Sequence, residues 1–232
     1  MEPNDLALGL VWFVVFLFSD TCHEAAHAWA AKLGGDLTAF HGGQVSLNPL
    51  PHVQREPFGM VVFPILSYAW NGWMMGWASA PYDPYWANRN PRKAAWMSLA
   101  GPAANFALAI LACIAMHIGI ATGTFQLSEE MGLTDIVQGS TGVASGLATL
   151  MSLLFSVNIL LGAFNLLPIP PLDGFSVLGL FVSEDRARRL QDLEHSFSGF
   201  RLAGVLIAWK VFDPMFWPIY TASLNAVYIG QG

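Results

Sequence analysis

Long apolar runs separated by short polar connections set the pattern of this chain. Leu6–Leu33, Phe58–Ser79, Ala94–Ile120 and Ala144–Leu167 each reach the length needed to cross a bilayer core as a helix, about 20 residues. Phe200–Ile229 is apolar too, but Lys210, Asp213, Pro214 and Pro218 interrupt it, so it reads equally as one kinked span or as two short helices. The connections differ in kind. Gly34–Glu56 alternates and holds Gly42-Gly43, Pro49 and Pro51, which predicts short strands and turns. Pro81–Pro91 is rich in Pro, Tyr, Trp and Asn, as an interfacial loop is. Gly123–Gly142 is polar and acidic. Ser183–His195 mixes Arg186, Arg188 and Arg189 with acids and predicts a short surface helix. With no internal repeat, low-complexity tract or appended soluble module, residues 1–232 read as one membrane-embedded domain.

Composition sharpens this picture. Of the 232 residues 54% are hydrophobic and only 11% charged. A soluble domain is about one quarter charged. So few polar residues cannot cover a soluble surface, and the balance also excludes a disordered chain and a nucleic-acid binder. The expected class is an all-α polytopic membrane protein whose medium is the lipid bilayer. The N-terminal apolar run follows Met-Glu-Pro-Asn-Asp, acidic where a signal peptide is positive, so it is expected to stay as a membrane helix. Cys22 and Cys113 both sit in apolar runs and offer neither a disulfide framework nor a metal spacing.

The sharpest chemical feature is His23-Glu24-Ala25-Ala26-His27. On a helix, positions i and i+4 share a face, so both imidazoles can meet one metal ion. Glu24 lies about 100° round from His23, too far to chelate but close to a metal-bound water. Ionisable groups at membrane depth are costly and usually mark function. A catalytic zinc site wants three protein ligands and one open position. Asp173 is the strongest candidate for the third. It follows Asn165-Leu166-Leu167-Pro168-Ile169-Pro170-Pro171-Leu172, where three prolines end a membrane helix and free backbone groups.

With these two motifs the chain resembles the site-2 proteases, zinc metalloproteases that cut peptide bonds within the membrane. Gly43-Gln44-Val45-Ser46-Leu47-Asn48-Pro49-Leu50-Pro51-His52 resembles the strand-and-turn segment of the small bacterial branch, which lacks a soluble domain. Gly76-Trp77-Ala78, Asn90-Pro91-Arg92-Lys93 and Ala100-Gly101-Pro102-Ala103-Ala104-Asn105 are similar to that branch as well. The resemblance spans roughly residues 15 to 200. It implies a site-2-protease-like helical core with a short β/turn segment. It also implies one zinc ion on His23, His27 and Asp173, with Glu24 as the base. Asn165 becomes a polar group near the substrate carbonyl and Asn105 a second one facing the core; His52 is a further substrate-side candidate. The implied substrate is a transmembrane protein, and the implied setting is the bacterial inner membrane. The segment Gly42–His52 is expected to offer an edge strand to an unwound substrate. Two departures stand out. His52-Val53 is followed by Gln54-Arg55-Glu56 rather than by an acid, and Asp20 takes the place of a small or apolar residue. Asp20 is open to two readings: an acceptor orienting an imidazole, or a group lining water.

Topology gives an internal check. His23, His27 and Asp173 all lie toward the C-terminal ends of their helices. To share a metal, those helices must run the same way, with an odd number of crossings between them. Two apolar runs intervene, so one does not cross. Phe58–Ser79 carries Pro64 and the turn pair Asn71-Gly72 and is expected to be a re-entrant hairpin or a lid lying on the site. Lys32, Arg55, Arg89, Arg92, Lys93, Arg186, Arg188 and Arg189 then fall on one side, and the 123–142 loop, without Lys or Arg, on the other. The positive-inside rule puts the N-terminus outside and the site nearer the cytoplasmic face.

Other classes compete. A diiron membrane oxygenase needs about eight clustered histidines, and the chain has 6, scattered. A metal transporter wants ionisable residues along several helices. A non-catalytic binder of membrane helices would ordinarily have lost Glu24 or a ligand; here all four residues are present.

Overall fold

A computed structural model describes residues 3–129 and 132–229. The chain opens with α1 (Pro3–Gly34), followed by two short helices, α2 (Thr38–His41) and α3 (Pro49–Arg55). Strands were expected across 34–56, so this is a correction. Asn48 accepts a hydrogen bond from the Leu50 N–H, and Pro49 brings the φ of a first helical residue, so the chain after Asn48 starts a helix instead of an edge strand. Asp36 holds this region to the next connection. It is buried and accepts from the Thr38 N–H, the Thr38 hydroxyl and the Asp83 N–H. Burial works against its charge, but these donors outweigh burial and hold the carboxyl below the usual range.

The expected re-entrant hairpin is present. A π-helical turn, Phe58–Val62, runs into α4 (Phe63–Asn71). Together they rise about 21 Å, short of the roughly 30 Å of a bilayer core. Gly72, at φ 76°, then turns the chain back as a limb without regular structure. The limb returns closely enough for the Trp77 N–H to donate to the Gly59 carbonyl at 3.2 Å. A Cβ on Gly59 would stand 2.2 Å from the Trp77 carbonyl oxygen, and one on Gly76 2.2 Å from that of Gly59. Two facing glycines therefore set the hairpin's width.

The chain continues through α5 (Pro84–Arg89) and α6 (Pro91–Ala121). A β-hairpin follows, β1 (Phe125–Leu127) against β2 (Val137–Gly139), antiparallel with Phe125 opposite Gly139. The small sheet of this fold thus lies in the acidic connection rather than before the hairpin. Next come α7 (Gly142–Asn165), α8 (Asp173–Val177), a 3-10 turn at Leu178–Leu180, α9 (Glu184–Ser196) and α10 (Arg201–Tyr228). The last span is one helix despite Pro214 and Pro218. Phe212, Phe216 and Tyr220 bracket both prolines and pack it along α7.

Among the described residues, α1, α6, α7 and α10 are long and apolar enough to cross a membrane, and the protein is an integral membrane protein. Exposed Leu10, Val14, Ile110, Leu111, Leu147 and Leu206 give these helices their lipid-facing sides. Side-chain pairs fix the directions. His27 reaches Met97 while His23 reaches Asn105, so α6 runs against α1. Ser19 meets Asn158, and Trp12 and Phe16 pack with Leu153 and Val157, so α7 runs along α1. Tyr220 meets Ser156 and Phe212 meets Phe164, so α10 runs against α7. One crossing, α6, separates α1 from α7, as the placement of His23, His27 and Asp173 requires.

Candidate metal centre

The long first helix presents His23, Glu24 and His27 toward the interior, each about 5% exposed or less. Each imidazole is gripped from behind. The His23 Nδ1–H donates to the Asn105 Oδ1 at 2.6 Å, and the His27 Nδ1–H donates to the Met97 carbonyl at 2.7 Å. Both acceptors belong to α6. With each Nδ1 carrying the proton, both Nε2 atoms present lone pairs, and these lie 2.9 Å apart. Two lone pairs that close repel unless a cation lies between them.

Asp173 completes the set. Its Oδ2 lies 3.1 Å from the His23 Nε2 and 3.3 Å from the His27 Nε2. The Pro168–Leu172 connection brings α8 back over the end of α7, and Gly174 makes the approach possible. A Cβ there would sit 2.2 Å from the Leu166 carbonyl oxygen. Ser176 donates to Glu194 of α9, which ties α8 to the charged surface helix. Three donor atoms, from two imidazoles and one carboxylate, thus converge. Metal–ligand bonds of about 2.0–2.1 Å in a tetrahedron separate neighbouring donors by about 3.3 Å, so this triangle fits zinc.

Glu24 stands next to this triangle, and its Oε2 has no hydrogen-bond partner among the described residues. Asp20, one turn earlier, is buried with an unpartnered Oδ2. It does not orient an imidazole, because Asn105 and Met97 already take both Nδ1 protons. Of the residues expected near a substrate, Asn105 is fully buried with both amide ends engaged, and it serves the back of His23 instead. His52 is also buried; its Nε2–H donates to the Ser46 carbonyl and braces the turn before α3. The hydrogen bonds of both are thus made within the protein, behind His23 for Asn105 and in the turn before α3 for His52. Asn165 is half-buried at the end of α7 and donates to the Leu161 carbonyl.

Sequence reasoning left three residues around the centre without a role. Gly101 packs against the triangle: a Cβ there would lie 2.3 Å from the His27 Nε2 and 2.5 Å from the His23 Nε2. Asn158 and Ser19 extend the hydrogen-bond chain behind Asn105. Asn158 was findable as a strong amide midway along an apolar run, where polar groups need helix–helix partners. Gly101 stands in the stretch Ala100–Asn105 that resembles the bacterial branch, but nothing in the sequence gave it a place against the imidazoles.

The sequence profile of peptidase family M50 matches residues 11–207. The chain belongs to this family of site-2 proteases. YwhC of Bacillus subtilis, named as a candidate zinc metalloprotease, is 30% identical over 220 residues, covering 92% of this chain and 87% of that protein. Rip2 of Mycolicibacterium smegmatis, named likewise, is 28% identical over 224 residues, covering 94% of this chain and 76% of that protein. No solved structure matches significantly.

Proposed function

We propose that the protein is an intramembrane zinc metalloprotease that hydrolyses peptide bonds in or near transmembrane segments of other membrane proteins. One observation carries this reading: the two Nε2 atoms and the Asp173 Oδ2 converge within 3.3 Å while both Nδ1 protons are spent elsewhere. His23, His27 and Asp173 would hold one zinc ion. When bound, zinc acidifies a water to a pKa of about 7 and polarises a scissile carbonyl. Glu24 would serve as base and then as acid: its Oε2, unpartnered among the described residues, is free to take a proton from the attacking water and to give one to the leaving amine. The hairpin of residues 58–79 covers the side of α1 that carries Phe16 and excludes lipid there. We place the chain in the bacterial inner membrane as one membrane-embedded domain, its N-terminus outside and its metal centre nearer the cytoplasm, because the basic residues gather on that side.

The test is a Glu24→Gln variant in detergent, assayed for zinc content and for cleavage of a model transmembrane peptide. One zinc per chain with cleavage lost supports the role. Continued cleavage would refute it. A transporter would instead move zinc across vesicles with Glu24 replaced, and flux there would favour that reading.

A further inference from the structure

Behind His23 a chain of amides crosses three helices. The Asn105 Nδ2 donates to the Asn158 Oδ1 at 2.8 Å, and the Asn158 Nδ2 donates to both the Ser19 Oγ and the Leu154 carbonyl at 2.8 Å. Asn105 and Asn158 are fully buried, as is Ser19. An amide can turn end for end without changing shape, so each link alone has no inherent direction. The imidazole of His23 and the hydroxyl of Ser19 can each donate or accept, so neither end of the chain fixes it. The Leu154 carbonyl can only accept. It therefore demands the NH2 end of Asn158. That points the Asn158 oxygen at Asn105, which must answer with its own NH2. The oxygen of Asn105 is left facing His23, and it requires a proton on Nδ1.

We propose that Asn158 is a positioning residue that sets the tautomer of His23 from α7. Through Asn105 it passes the polarity of one main-chain carbonyl to the imidazole, and this keeps the Nε2 lone pair turned toward the metal position. Without Asn158, Asn105 is free to turn its NH2 toward His23. That orientation stabilises the tautomer whose Nε2 carries hydrogen, which cannot bind a metal. Ser19 is incidental to the polarity, although it joins α1 to α7.

The inference rests on His23 being a zinc ligand, and the experiment separates the two claims. Zinc affinity is measured by chelator competition on the full chain in detergent, with melting temperature alongside, for wild type, His23→Ala, Asn105→Leu, Asn158→Leu, the Asn105→Leu/Asn158→Leu double variant and Ser19→Ala. Asn105→Leu and Asn158→Leu each lower affinity by about 10–100-fold, the range for a group that orients a ligand. The double variant binds zinc no more weakly than Asn105→Leu alone, because Asn158 acts only through Asn105. Ser19→Ala loses a helix–helix bond yet keeps affinity within about threefold. A purely structural network gives another pattern: Ser19→Ala is then as harmful to zinc binding as Asn158→Leu, or the two leucine changes add. Either result, or full affinity in Asn158→Leu, overturns the inference. Unchanged affinity in His23→Ala overturns the ligand assignment itself, and the inference with it. If the leucine variants do not fold, alanine at both positions closes the same cycle.

Discussion

At Gly101 the wall of α6 has no thickness to spare. His23 and His27 stand so close to that backbone that one methyl group would meet both Nε2 atoms at 2.5 Å or less. Gly101→Ala should therefore push the imidazoles off their shared point and cut zinc affinity by at least the ~10–100-fold of a misplaced ligand. The clash also outweighs the ~1 kcal/mol that alanine gains as a helix former, so melting temperature should fall as well; chelator competition beside a thermal melt checks both. The two carboxylates of interest should separate by the same measurement. Asp173→Ala removes an anionic donor from the triangle, so zinc should be lost on dialysis and cleavage with it. Asp20→Asn touches neither imidazole proton and should keep one ion. If Asp20→Asn loses zinc while Asp173→Ala retains it, the ligand set is wrong. The sequence made His23, Glu24 and His27 legible because spacing on a helix is a property of order along the chain, and Asp173 because three prolines mark the helix end before it. It left Gly101 and Asn158 obscure because their roles depend on which face of α6 or α7 meets another helix, and no local pattern records that.

Among the elements, the re-entrant hairpin and the 38–55 segment teach opposite lessons. The hairpin could be anticipated because crossing parity is a global constraint that an apolar run must obey, and Asn71-Gly72 supplied the turn. The two short helices could not be told from strands by alternation, since one turn of helix is too brief to show its period. The capping residue, Asn48 before Pro49, held the information. The β-hairpin was missed because β1 and β2 have 3 residues each, too short to alternate visibly. The hairpin's narrow waist predicts a sensitive spot. Gly59→Val forces the Trp77 limb outward, and limited proteolysis should then cut within residues 73–80 faster than in wild type. Asp36 gives a pH test. Its carboxyl is held below its unfolded value of about 3.9, so the stabilisation is fully present above that pH and is lost as pH falls through the folded value. Wild type should melt higher than Asp36→Asn at pH 7, with the gap closing below about pH 4.

For the whole molecule, orientation is the quantity most open to direct measurement. Thr134→Cys lies in the connection without basic residues and Arg189→Cys on the charged helix α9. In whole cells a membrane-impermeant maleimide should label the first readily and the second only after lysis; the reverse pattern would invert the proposed topology. The span count also carries a consequence beyond this chain. The residues proposed to hold zinc are split between the end of α1 and the start of α8, and two crossings, α6 and α7, intervene. Inserting two membrane helices between them leaves both groups at one face of the bilayer. Inserting one would strand Asp173 roughly a bilayer thickness from the histidines, with every residue of the centre intact and no centre to form. Growth of this architecture between its two ligand segments is thus quantised in pairs of spans, whereas additions beyond either end are under no such rule.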